Sequence, residues 1–137
     1  MRARLARWAL LCMAGFCTPG FAADSPPPHA PGFRLPTQRG SVSLDSLQGK
    51  VVYVDFWASW CVPCGKSFPW LQSVQDKYRS RGLVVVAINL DKEREAALEF
   101  LQAHPSKLLV AFDPEGTAAL AYRVPGMPSS ARLRSIA

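Results

Sequence analysis

Cysteine, histidine and methionine are all scarce in this 137-residue chain, with four, two and three residues respectively. The histidines, His29 and His104, lie in unrelated segments, and there is no second closely spaced cysteine pair outside the first residues. That shortage argues against a structural zinc site, which needs four nitrogen or sulfur ligands. No Met-rich or His-rich run is present to mark a dedicated copper carrier. The formal charge of +6 includes Arg2, Arg4 and Arg7 at one end and Arg132 and Arg134 at the other. Without them no basic run or basic helix face stands out, so nucleic acid is not an expected partner. No internal repeat is visible. A 49% apolar, 19% charged composition of this length reads as one globular domain.

The first residues account for two of the four cysteines. "MRARLAR" is a positively charged stretch, "WALLCMAGF" a short apolar core, and Gly20 and Ala22 supply the small residues that a signal peptidase reads. Residues 1–23 are therefore read as a secretory signal cut after Ala22 or Ala23, the alternative being a retained membrane anchor. The apolar run is short for a span and is broken by Pro19. Bulky Leu11 and Phe16 before Cys12 and Cys17 argue against lipid attachment there. Residues 24–32, "DSPPPHAPG", form a proline-rich spacer. The domain is expected over residues 33–137.

Within it, "FRLPTQRGSVSL" alternates about Gly40 as a hairpin with Leu35, Val42 and Leu44 inward. "KVVYVDFWA" and "LVVVAINL" have the continuous apolar character of strands buried on both faces, and "KLLVAF" adds a third. Between them, Trp70, Leu71, Val74 and Tyr78 recur at helical spacing up to Gly82, and "KEREAALEFLQAH" places Ala97, Leu98 and Leu101 on one helix side. A short helix follows Pro114. Alternating strands and helices predict an α/β fold with a mostly parallel sheet covered by helices.

The remaining cysteines, Cys61 and Cys64, sit where the first long strand passes into the first long helix, in "VDFWASWCVPCGKSFPW". Unpaired N–H groups and the helix dipole at such a position favour a thiolate. Cys61 occupies it, Cys64 lies one turn further in, and Pro63 fits the first turn, where a missing N–H costs nothing. A disulfide closing so small a loop constrains the unfolded chain little. Dithiol–disulfide exchange is therefore favoured over a zinc half-site or a structural staple, while copper(I) held linearly by two thiolates stays open as a binding-module alternative. Asp55 lies inside an apolar strand. If buried, its pKa rises and it can take a proton from Cys64 near neutral pH; the alternative is an exposed charge at a strand end.

"VDFWASWCVPC" with Pro69 five residues on resembles the active-site segment of the thioredoxin fold. The approach "GKVVYVDFWASWC", the extra helix and strand at residues 93–112, and "VPGMPSS" resemble the TlpA/ResA-like branch of exported thiol–disulfide oxidoreductases. From about Phe33 to Ser130 the resemblance implies a thioredoxin-like three-layer fold. It implies Cys61 as attacking thiol, Cys64 as resolving thiol and a Cys61–Cys64 disulfide. It further implies Trp60 shielding the pair, Pro63 between the two thiols, Pro128 as a cis-proline opposite the disulfide and Met127 as the residue whose backbone meets substrate. No cofactor or metal is implied. The expected partners are protein disulfides, in several relatives those of cytochrome c or copper-site maturation, and a membrane thiol-reducing electron donor; a membrane tether is compatible. Disulfide oxidase or isomerase activity is the alternative direction. Two departures stand out: Ser67 replaces the glutamate usual three residues after the second cysteine, and Ala87 stands where thioredoxins often carry a lysine near the buried acid. After Ser130 the sequence "ARLRSIA" departs from the apolar strand expected there. The expectation is a copy truncated or frameshifted after Ser130, lacking the closing strands and helix and folding poorly for want of cover.

Overall fold

The computed structural model describes residues 30–133; the expected signal and all but the end of the proline-rich spacer lie outside them. β1 (Arg34–Thr37) and β2 (Gly40–Ser43) form the expected hairpin, with Leu35 opposite Val42 and both buried. β3 (Val51–Trp57) leads into α1 (Val62–Tyr78). A 3-10 turn over Arg79–Arg81 then ends on Gly82, whose φ of +84° is open to a residue without a side chain. β4 (Leu83–Asn89), α2 (Arg94–Ala103), β5 (Leu109–Phe112), α3 (Thr117–Ala121) and β6 (Ser129–Leu133) follow.

The six strands form one sheet in the order β2-β1-β5-β4-β3-β6. The expectation of a mostly parallel sheet is corrected to a mixed one. Only β5, β4 and β3 run parallel, joined by the helical crossovers α1 and α2. The tight β1–β2 turn forces an antiparallel pair, β1 docks antiparallel on β5, and β6 returns antiparallel along β3. β5 starts at Leu109, not at Lys107, whose N–H is taken by the Gln72 side chain at 2.6 Å.

Alternation along β3 and β4 divides the core in two. Trp57, Val85 and Ala87 face α1 and α2 and pack with Cys61, Cys64, Phe68 and Leu71. Val52, Val54, Phe56, Val86 and Ile88 face the other way, against Phe33, Leu35, Val42 and Ala118. The expected shortage of cover is not found over the C-terminal halves of β3 and β4, which are buried on both faces, whereas Val51, Tyr53, Leu83 and Val84 in their first halves are only half-buried. Exposure instead concentrates at β6, where buried positions are absent, and Arg132 is exposed there. Arg134 lies outside the described residues.

Candidate active site

The site forms where β3 ends. Trp57 C=O accepts from Leu90 N–H at 2.9 Å, holding the strand end against the end of β4. The chain then turns, with Cys61 N–H donating back to Ala58 O at 3.1 Å, and α1 begins. Cys61 is the residue immediately before the helix, in extended conformation (φ −85°, ψ 94°), and Pro63 lies in the first turn as expected. Cys64 N–H donates to Cys61 O at 3.0 Å.

Cys61 and Cys64 are joined in a disulfide. Cys61 is 4% exposed and Cys64 is fully buried, so the first lies nearer solvent. The flanking residues form an apolar rim: Trp60 is 69% and Val62 74% exposed, and Pro63 is exposed too. The Met127–Pro128 peptide bond is cis, and Met127 packs against the cluster that contains both cysteines. Beneath the pair, Trp57, Phe68 and Phe100 form an aromatic layer, with ring centroids 4.8–5.4 Å apart.

Asp55 is buried on β3, sharing the α1 face with Trp57 two residues on. Its cross-strand neighbours are Ala87 and Ser130, neither of which brings a cation. Oδ2 has no hydrogen-bond partner among the described residues. Desolvation therefore acts uncompensated and pushes the carboxyl up from 3.8 to about 7. Ser67, in place of the glutamate expected from the resemblance, donates its hydroxyl to Cys64 O at 2.8 Å and so ties down the first turn of α1.

Two residues that sequence reasoning set aside or passed over also reach the site. His104, assigned to an unrelated segment, stacks on Phe100 (4.1 Å, 20°), with Nδ1 3.0 Å from Phe100 O. Its Nε2 approaches Gly65 so closely that a Cβ there would lie 3.0 Å away. Asp91 binds the turn before Cys61 through Ser59. The signal that could have found Asp91 is an acid directly following a buried strand, at the sheet end where the cysteines sit. Among the described residues no group of three or more His, Cys, Asp or Glu side chains could hold a metal ion.

This arrangement defines a redox-type thioredoxin fold, a buried disulfide at a helix start with a cis-proline loop packed against the same cluster. The AhpC/TSA family matches residues 28–137, and the chain belongs to it. Within that family its similarity is to the ResA type, in agreement with the resemblance in the sequence. It is 31% identical over 102 residues to the thiol-disulfide oxidoreductase ResA of Bacillus subtilis, covering 74% of this chain and 57% of that protein. It is 33% identical over 104 residues to ResA of Bacillus cereus, covering 74% and 60%. The match thus spans less than two thirds of these relatives' length. A Chlorobium tepidum crystal structure assigned as a thiol:disulfide interchange protein DsbE superposes with TM-score 0.74 at 49% identity, covering 76% of this chain and 74% of that one. A secreted disulfide oxidoreductase of Mycobacterium tuberculosis, homologous to E. coli DsbE, gives 0.66 at 26%, covering 74% and 75%.

Proposed function

We propose that this protein is an exported thiol–disulfide oxidoreductase that reduces disulfides of protein substrates outside the cytoplasm. The observation that carries the reading is the asymmetry of the pair, with Cys61 at the start of α1 under an exposed apolar rim and Cys64 buried above the Asp55 face. In the dithiol form, the unpaired N–H groups of the first helical turn favour a Cys61 thiolate. Cys61 Sγ attacks one sulfur of the substrate disulfide; the new S–S bond forms as the substrate bond breaks and a substrate thiolate leaves. Asp55 then takes the Cys64 proton, and Cys64 Sγ attacks Cys61 Sγ, releasing the second substrate thiolate. Two electrons pass to the substrate, and the Cys61–Cys64 disulfide remains to be reduced by a membrane thiol donor. Trp60, Pro63, Met127 and Pro128, with the exposed Val62 beside them, supply the apolar surface and backbone against which the substrate chain lies.

Export rests on the N-terminal signal pattern and on likeness to a secreted oxidoreductase. Following the branch that the sequence resembles, the proposed substrates are cysteine pairs of cytochrome c or copper-site precursors. The test is the reduction potential of the Cys61–Cys64 couple against a glutathione series. A reductant should lie nearer the roughly −270 mV of thioredoxin than the roughly −120 mV of a strong oxidant. A value near the latter would instead support the oxidase reading.

A further inference from the structure

We propose that Asp91, through Ser59, is a positioning residue that holds Cys61 in its attacking geometry; this rests on the oxidoreductase reading above. Asp91 follows the end of β4 and is buried. Burying a carboxylate is costly unless its oxygens are filled by donors. Here Oδ2 accepts from Ser59 N–H at 2.9 Å and from the Asn89 side-chain amide at 2.7 Å, and Oδ1 accepts from the Ser59 hydroxyl at 2.9 Å. Asn89 in turn accepts from Asp91 N–H through its side-chain oxygen at 3.1 Å, so the acceptor is itself held in place.

The direction of these bonds identifies their role. A brace internal to β4 would stop at Asn89. Two of the three bonds to the carboxylate cross 32 residues to Ser59, two positions before the nucleophile. The segment is thus fastened at Trp57 by the Leu90 N–H and at Ser59 by Asp91, and Cys61 N–H closes the turn on Ala58 O. Trp60, between the second fastening and Cys61, is mostly exposed. Among the described residues the Ser59 clamp is therefore the last side-chain anchor before Cys61. Attack on a disulfide needs the sulfur in line with the bond it breaks, and misplacement by about 1 Å can cost on the order of a hundredfold.

Replacement by asparagine separates geometry from charge. In Asp91→Asn the retained oxygen can still accept from Ser59 N–H and Asn89, while the new amide donates to the Ser59 hydroxyl, which can accept. Asp91→Ala removes all three acceptor bonds. The full chain carrying Cys64→Ser isolates the attack step, read as release of the leaving thiol from a pyridyl disulfide probe and, independently, as iodoacetamide alkylation of Cys61. Asp91→Ala should slow both by about tenfold, and Asp91→Asn should stay within about threefold of the parent. In proteins with both cysteines, resolution by Cys64 should change by less than about twofold. An Asp91→Ala protein as fast as its parent, an Asp91→Asn protein as slow as Asp91→Ala, or equal slowing of attack and resolution overturns the proposal. Should Asp91→Ala not fold, Ser59→Ala carries the test: slowing of attack by about threefold supports the clamp, and an unchanged rate overturns it. A parent protein whose Cys61 reacts with both probes but which reduces no protein disulfide would retire the proposed function and leave the clamp standing.

Discussion

Asp55 is an acid whose ionisation the fold delays to near neutral pH. Its carboxyl is pushed from 3.8 to about 7 by burial without a compensating donor, so the native state binds a proton that the unfolded chain has already released. The sign follows. Between about pH 4 and pH 7 the native state holds more protons, so stability falls as pH rises, and above about pH 7 the penalty is complete. Asp55→Asn should flatten that dependence. The variant should match the wild type near pH 4 and be more stable at pH 8 by a few kcal/mol in urea unfolding of the oxidised protein. Parallel pH profiles for the two proteins would show that the carboxyl ionises normally. The same residue serves Cys64 in the proposed reaction, so Asp55→Asn should slow resolution more than attack. At the cysteines, Cys61→Ser should abolish the mixed disulfide with a protein substrate, while Cys64→Ser should trap it, as seen on non-reducing gels. Trapping by Cys61→Ser instead would reverse the assigned roles.

Strand β4 shows how elements are joined where the sheet is incomplete. Its pairing with β5 begins at Val86, although its pairing with β3 begins at Leu83. Over the gap the buried Gln75 of α1 takes the place of a neighbouring strand: its amide donates to Leu83 O at 2.9 Å, and its carbonyl accepts from Val85 N–H at 2.7 Å. Gln75→Leu keeps the bulk and strands both backbone groups, so it should cost about 2–4 kcal/mol in chemical denaturation. A loss below about 0.5 kcal/mol would mean that water replaces the amide. Such joints also mark how far the sequence could be read. β3 and β4 were legible because strands buried on both faces must be apolar throughout, and α1 because its start coincides with Cys61 and Pro63. The pairing of β1 with β5 and the antiparallel return of β6 were not legible, since they depend on which edges meet after folding. For the same reason Cys61, Cys64 and Asp55 could be picked from one stretch, whereas the Asp91 clamp and the seat of His104 against Gly65 could not. Each joins residues distant in the chain, and neither an acid after a strand nor a histidine near a helix end signals its partner.

On the scale of the whole molecule the sheet is a partition. Phe68 lies on the cysteine face with Trp57, Phe100 and Cys64, and Phe56 lies on the opposite face with Val54, Ile88 and Tyr122. Both rings are almost wholly buried, so cutting either to alanine should cost about 3–5 kcal/mol, a large share of a margin of about 5–15 kcal/mol for a small domain. Their chemical effects should differ. Apolar burial disfavours a thiolate, and Phe68→Ala opens space for water on the side of the sheet where Cys64 is enclosed. Phe56→Ala opens space on the side where no cysteine lies among the described residues. In proteins that also carry Cys61→Ser, alkylation of Cys64 should therefore begin at lower pH with Phe68→Ala and stay unchanged with Phe56→Ala, although urea unfolding registers both losses. Equal shifts of the alkylation profile would mean that loosening on either face reaches the thiol through the strands. The separation of a face that carries chemistry from one that carries stability would then fail.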